Sequence, residues 1–216
     1  MIMPRAQGPV APGRTDRRLR SFYRLHAPIY DQTRWAFLFG RAKAIDSLNL
    51  RPGNSALEVG CGTGLNFALL RSAVGPDGFV IGIDCSEQML ARAQRRIARL
   101  GWSNVAVRQA SVPPLDLEIC FDAVLFSYSL TMIECWEQAL ARAARLLKPG
   151  GTLGVLDFGQ FRSWPWPAGP IIQGWLRLNQ VHTPRPVARH MGECLDDVHC
   201  HSKLGGYYFI ATGRGR

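Results

Sequence analysis

Short apolar runs recur along the chain at a steady interval: Ser55–Val59, Phe79–Asp84, Val105–Gln109, Phe121–Ser127 and Thr152–Phe158. Each has the length of a strand. The fourth is almost continuously apolar, as a strand covered on both faces must be. Segments of helical spacing lie between them, at about 65–74, 86–100 and 136–147. Ser86 can cap the second of these, and Gly101 stops it. Its Arg92, Arg95, Arg96 and Arg99 fall on one solvated flank. Turn signals, Gly75-Pro76-Asp77-Gly78 and Lys148-Pro149-Gly150-Gly151, return the chain to the next strand. This alternation predicts an α/β fold with a doubly wound, mostly parallel sheet. After Phe158 the rhythm stops. Residues 162–170 carry too many prolines for a regular helix, although 171–178 can form a short one. Two last runs, 197–203 and 207–212, flank Leu204-Gly205-Gly206 and predict an antiparallel closing hairpin, for seven strands in all.

The N-terminal part follows a different pattern. Residues 1–15 are rich in Pro, Gly and Arg without periodicity and read as a disordered basic tail. From Asp16 to about residue 48 the spacing is helical in two pieces, broken at Ala27-Pro28. The expected organisation is a helical substrate cap over 16–50, within one domain spanning 16–216. A chain of 216 residues suits a single core of this kind. No apolar run is long enough to span a bilayer. The start of the chain has no signal-peptide pattern, and its cysteines form no C-x-x-C pair. A reducing cytoplasm is the expected location.

Charge adds one feature. The net charge is +10, and nine Arg or Lys precede Leu50 against three Asp. An excess of this kind favours polyanions or an anionic membrane face, unless it reflects nothing more than a soluble, arginine-rich surface.

The candidate chemistry sits at the end of the first strand, in Glu58-Val59-Gly60-Cys61-Gly62-Thr63-Gly64. Glycines here let the backbone turn sharply and let a ligand approach the main chain. Asp84 ends the neighbouring strand, where its carboxylate can accept both hydroxyls of a ribose. The letters G-x-G-x-G differ from the dinucleotide fingerprint G-x-G-x-x-G, and no P-loop occurs. The pattern describes a pocket for an adenosine-bearing molecule.

These residues resemble motif I of the class I S-adenosylmethionine (SAM) dependent methyltransferases. Gly82-Ile83-Asp84-Cys85-Ser86 resembles the second motif, Phe121-Asp122-Ala123-Val124 the fourth strand, and Leu146-Leu147-Lys148-Pro149-Gly150-Gly151 the loop into the fifth. The resemblance implies SAM as cofactor and a Rossmann-like sheet. It implies cofactor contacts from Glu58, Gly60, Cys61, Gly62, Thr63, Gly64 and Ser127, with Asp84 on the ribose and Cys85 and Met89 flanking the adenine. The family's usual Asp after the third strand is replaced by Gln109-Ala110-Ser111, so Ser111 or the backbone is expected to meet the adenine amino group.

The acceptor is read from flanking segments. Phe22 to Trp35, Ser127 to Ile133, Asp157-Phe158-Gly159 and Val181 to Arg185 resemble bacterial N-methyltransferases of lipid amines, of the diacylglyceryl-homoserine and phosphatidylethanolamine types. From the residues themselves, Tyr23, Tyr30, Trp35 and Tyr128 can wall a pocket for a methylated ammonium by cation–π attraction. His26 and His182 have the chemistry to carry the amine's proton. Tyr30, Tyr128, His26 and His182 are thus the candidate catalytic groups. The Arg-rich stretch 14–24 and the cluster Trp164, Trp166, Ile171, Ile172 and Trp175 can dock on an anionic membrane, the cluster equally serving as a lid. Carbon or oxygen methylation of a small molecule, such as a quinone or natural product, is the alternative activity. A SAM-fold binding protein without catalysis also remains open. The absence of [D/N]-P-P-[Y/F] after the fourth strand argues against nucleic-acid amines. No metal is assigned: His199, Cys200 and His201 are consecutive on a predicted strand, so neighbours point to opposite faces.

Overall fold

The computed structural model describes residues 38–113, 115, 117–161, 163–165, 167–178, 181 and 185–216. The basic tail, most of the helical cap and the candidates Tyr23, His26, Tyr30, Trp35 and His182 lie outside the described residues.

The described chain alternates as expected. A short α1 (Arg41–Asp46) leads to β1 (Ser55–Val59), α2 (Phe67–Val74), β2 (Phe79–Asp84), α3 (Glu87–Arg99) and β3 (Val105–Gln109). Then follow β4 (Phe121–Ser127), α4 (Trp136–Arg145), β5 (Leu147–Phe158), α5 (Ala168–Leu178), α6 (Val187–Cys194), β6 (Asp196–Lys203) and β7 (Tyr208–Arg214). The seven strands form one sheet in the order β3-β2-β1-β4-β5-β7-β6. Pairings from β3 through β5 are parallel, and those of β7 with β5 and β6 are antiparallel.

The sheet is covered on both sides. On one face Phe67, Leu70 and Val74 of α2 pack with Leu90 and Ala93 of α3. On the other, Trp136, Leu140 and Ala143 of α4 meet Val187 and Met191 of α6. All five residues of β1 are buried, which is why this strand carries no polar alternation. Ser86 caps α3 as expected, its hydroxyl accepting from the Met89 amide at 3.4 Å. Asp122 fastens the starting ends of β1, β4 and β5. One of its oxygens accepts from the Ser55 amide and hydroxyl and from Lys148 Nζ, each at 2.7 Å.

The structure departs from the pattern reading in three places. β5 begins at Leu147 rather than Thr152, because Lys148–Gly151 bulges out between the pairs Phe121–Leu147 and Ala123–Thr152 and the strand continues beyond it. α5 begins at Ala168, within the proline-rich stretch expected to be irregular. Pro170 sits in its first turn, where no intrahelical N–H donor is needed. α6, in a stretch that carries no element signal in the sequence, buries Val187 and Met191 one turn apart.

Candidate active site

The carboxyl ends of β1, β2 and β4 open into a cavity of about 440 Å³. The glycine loop forms its floor. Gly60 and Cys61 both donate their amides to the Ile83 carbonyl, at 2.8 and 2.9 Å, so the loop crosses directly onto β2. Gly60 has φ 73°, and a Cβ there would come within 2.5 Å of Ser129 Cβ. Ser129 is fixed in turn by its hydroxyl, which donates to the Val59 carbonyl at 2.7 Å. Gly62 has φ 55° and meets no protein atom where a Cβ would stand, so the space above it is free for a ligand.

Asp84 is held ready at the tip of β2. Its Oδ2 accepts the Gly62 amide and its Oδ1 the Ser86 amide, each at 2.9 Å. A carboxylate oxygen can accept more than one hydrogen bond, and two such oxygens suit the two hydroxyls of a ribose.

Glu58 sits opposite and is almost fully buried, at 2% exposure. Asn66 Nδ2 donates to its Oε1 at 2.6 Å. Among the described residues, Glu58 Oε2 and Asn66 Oδ1 are buried without a hydrogen-bond partner. Burial pushes the Glu58 carboxyl up to about 8, against the opposing pull of Asn66 and of the nearby Arg41 charge. Two buried oxygens without a partner fit a cationic donor such as an amino acid's ammonium, whose charge would also favour ionised Glu58. Arg41 lines the same end of the cavity, with Nη1 3.3 Å from the Leu65 carbonyl. A carboxylate beside that ammonium would find Arg41 next to it. These residues therefore fit the methionine end of SAM, and Asp84 fits its ribose.

Of the predicted cofactor residues, Glu58, Gly60, Cys61, Gly62, Thr63, Asp84, Cys85, Met89 and Ser127 line the cavity. Gly64 stands behind the loop against the Phe67 ring. Ser111 is buried next to the cavity, whose wall is made at that point by Ala110 and Val112.

Two comparisons bear on this geometry. Residues 56–151 match the family described as methyltransferase domain. The chain is also 32% identical over 194 residues to a demethylmenaquinone methyltransferase of Lactobacillus johnsonii, covering 86% of this chain and 76% of that protein. The chain belongs to the class I SAM-dependent methyltransferases.

This methyltransferase is similar to other proteins as well. It is 30% identical to a 2-phytyl-1,4-naphtoquinone methyltransferase of Thermosynechococcus vestitus, over 81% of this chain and 76% of that one. It is 40% identical to an uncharacterised protein in transposon Tn4556 of Streptomyces fradiae, but spans only 31% of that protein. Phosphoethanolamine N-methyltransferase 2 of Haemonchus contortus, solved with SAM, shares the fold: TM-score 0.72 at 15% identity, over 90% of this chain and 59% of that one.

The methyltransferase places Tyr128 beside the cofactor loop with an unusual backbone, φ 54°. Its ring packs on Phe158 at 4.7 Å, and its hydroxyl donates to the Phe39 carbonyl at 2.7 Å. Burial pushes its phenol well above the ordinary tyrosine pKa, so the hydroxyl stays protonated. The hydroxyl thus ties residues 38–41 over the cavity. Trp164 stacks on Tyr207 at 6.0 Å and donates its indole N–H to the Leu204 carbonyl, closing an apolar cluster with Phe161. Among the described residues no helix is long and apolar enough to cross a membrane.

Sequence reasoning found Met132 and Ile133 only as part of the segment 127–133 and missed Arg41, Asn66, Glu134 and Cys135, all of which line the cavity. Asn66 carried one signal, a capping residue type at the start of α2. Nothing in the spacing marked Arg41.

Proposed function

We propose that this methyltransferase transfers the methyl group of SAM to a small ring-bearing acceptor of the quinone class. The observation that carries the reading is the apolar wall formed by Leu38, Val112, Pro113, Met132 and Ile133 beyond the polar cofactor residues. A flat, weakly polar ring suits such a wall. Support also comes from the quinone methyltransferases that align with over four-fifths of the chain. SAM supplies an activated methyl on a sulfonium centre. The chain has to hold both ends of the cofactor, align the acceptor and exclude water, and alignment can supply most of the rate. Glu58, Asn66 and Arg41 grip one end, and Asp84 the ribose. Glu134, exposed at the mouth next to Ile133, is placed to receive a proton from a ring hydroxyl.

A lipid head-group amine is the second reading. Its support is the aromatic segment 22–35 and the basic N-terminal part. In that case Tyr30 and Tyr128 flank an ammonium, His26 and His182 carry its proton, and the Arg-rich segment and tryptophans meet an anionic membrane.

Methyl-labelled SAM offered with reduced 1,4-naphthoquinone, and separately with phosphatidylethanolamine vesicles, distinguishes the two. Label in the naphthoquinone product supports the first reading. Label confined to the phospholipid would replace it with the second.

A further inference from the structure

The wall Met132–Cys135 hangs on a turn that cannot hold itself. Leu130–Met132 is a single 3₁₀ turn directly after the Tyr128 kink. Its internal bonds are Met132 N to Ser129 O at 3.2 Å and Ile133 N to Leu130 O at 3.1 Å. One such turn has little cooperativity of its own.

Two side chains from elsewhere in the fold hold it. Asp157, fully buried at the end of β5, accepts the Thr131 amide at 2.9 Å and the Thr131 hydroxyl at 2.7 Å. The Phe158 amide completes its shell at 2.9 Å. Arg185 comes from the segment between α5 and α6, well outside the nucleotide-binding half. Its Nη1 donates to the carbonyls of Leu130 at 2.8 Å and Ile133 at 2.6 Å, one at each end of the turn. The same guanidinium lies 5.5 Å from the Trp136 ring centroid, at the start of α4. Arg185 does not line the cavity, whereas Met132, Ile133, Glu134 and Cys135, set in place by this turn, do.

The cofactor loop is fastened separately, through Ile83 and Asp84. The two halves meet at Ser129, which lies against Gly60 and whose carbonyl accepts the Met132 amide, but the bonds that Arg185 makes lie on the side of the Met132–Cys135 wall. We propose that Arg185 is a positioning residue for the methyl acceptor: it latches the Leu130–Ile133 turn and fixes the acceptor wall, leaving SAM binding alone. The proposal rests on the reading that Met132–Cys135 face the acceptor, whichever class that acceptor belongs to. A guanidinium held over the Trp136 ring presents Nη1 to both carbonyls through charge-assisted bonds, whereas a lysine is a point charge on a flexible stem with no planar face for the ring.

The test uses Arg185→Lys and Arg185→Met in the full chain. Three quantities are measured: SAM affinity by calorimetry, amide hydrogen exchange at Thr131–Ile133 and at Gly60–Gly62, and the acceptor KM. The acceptor is whichever the wild type methylates, reduced 1,4-naphthoquinone or phosphatidylethanolamine vesicles. In Arg185→Met, exchange at Thr131–Ile133 should rise about tenfold or more, as loss of such bonds implies. Exchange at Gly60–Gly62 and SAM affinity should stay within about twofold. Acceptor KM should rise about tenfold, and Arg185→Lys should recover part of it. A purely structural role would lower kcat through loss of folded protein and leave KM unchanged. Unaltered exchange at Thr131–Ile133, or SAM affinity falling in step with acceptor KM, overturns the proposal. Turnover of the lipid and not the quinone would change the acceptor class without touching the latch. If neither is turned over, the exchange and calorimetric results alone decide it.

Discussion

Replacing Glu58 by Gln should stabilise the cofactor-free methyltransferase and weaken its hold on SAM. In the folded state the Glu58 carboxyl is raised from 4.5 to about 8, chiefly by burial. The fold therefore favours the protonated form. Stability is fully present below the unfolded value and is lost as pH climbs from there through the folded value. At about 1.4 kcal/mol per pH unit, the loss reaches roughly 5 kcal/mol once the carboxylate is ionised in both states. The glutamine side chain of Glu58→Gln cannot ionise, and its carbonyl can still accept from Asn66. The stability gap between variant and wild type should open from about pH 5 and level off above about pH 8. At the plateau the melting temperature of the variant should lie roughly 10 °C higher. Urea titrations at several pH values read this directly. The cofactor shows the reverse effect. An ammonium beside Glu58 Oε2 gains from an ionised carboxylate, so SAM affinity in the wild type should rise with pH and level off only above about pH 8. In the variant that dependence should disappear, and affinity should be about tenfold to a hundredfold weaker near neutrality. Parallel pH–stability curves for the two proteins would refute the reasoning. They would mean that Glu58 is already ionised and paired in the folded apoprotein.

The remaining predictions concern other supports of the site. Asp84→Ala removes the acceptor of the Gly62 and Ser86 amides as well as the ribose ligand, so calorimetry should show SAM affinity reduced about a hundredfold or more. Gly60→Ala forces a side chain into a positive-φ position against Ser129; denaturant unfolding should show a loss of about 1–3 kcal/mol, and SAM binding should weaken with it. Tyr128→Phe deletes the bond to the Phe39 carbonyl and keeps the ring on Phe158. It should cost about 1 kcal/mol in stability and leave a measurable kcat with an unaltered pH profile; abolished turnover would instead make the hydroxyl part of the chemistry.

Strand positions were legible because burial leaves a direct mark on sequence. β1, β2 and β4 lie where their apolar runs place them, since both faces of a central parallel strand are covered and nearly every residue has to be apolar or small. α6 was hidden for the opposite reason. Its two core residues, Val187 and Met191, stand between Pro186 and Gly192, so too few positions repeat to reveal the helical period. The cofactor loop was readable because glycine spacing is local chemistry. Its polar partners were not. Arg41 reaches Glu58 through tertiary proximity, from a six-residue helix seventeen positions earlier in the chain. The wall Met132–Cys135 depends on a single 3₁₀ turn held by Asp157 and Arg185, residues 26 and 55 positions from their partners. A contact of that kind leaves no periodic trace.

The central claim is that a cavity between Glu58 and Asp84 presents SAM to a ring-bearing acceptor. Its most direct test is to incubate the purified chain with SAM carrying a deuterated methyl group and with reduced 1,4-naphthoquinone, then locate the label by mass spectrometry and NMR. The deuterated methyl should appear on the naphthoquinone, at a ring carbon or oxygen, with the product absent for Asp84→Ala. An unlabelled ring, with the deuterated methyl still on SAM, would overturn the claim.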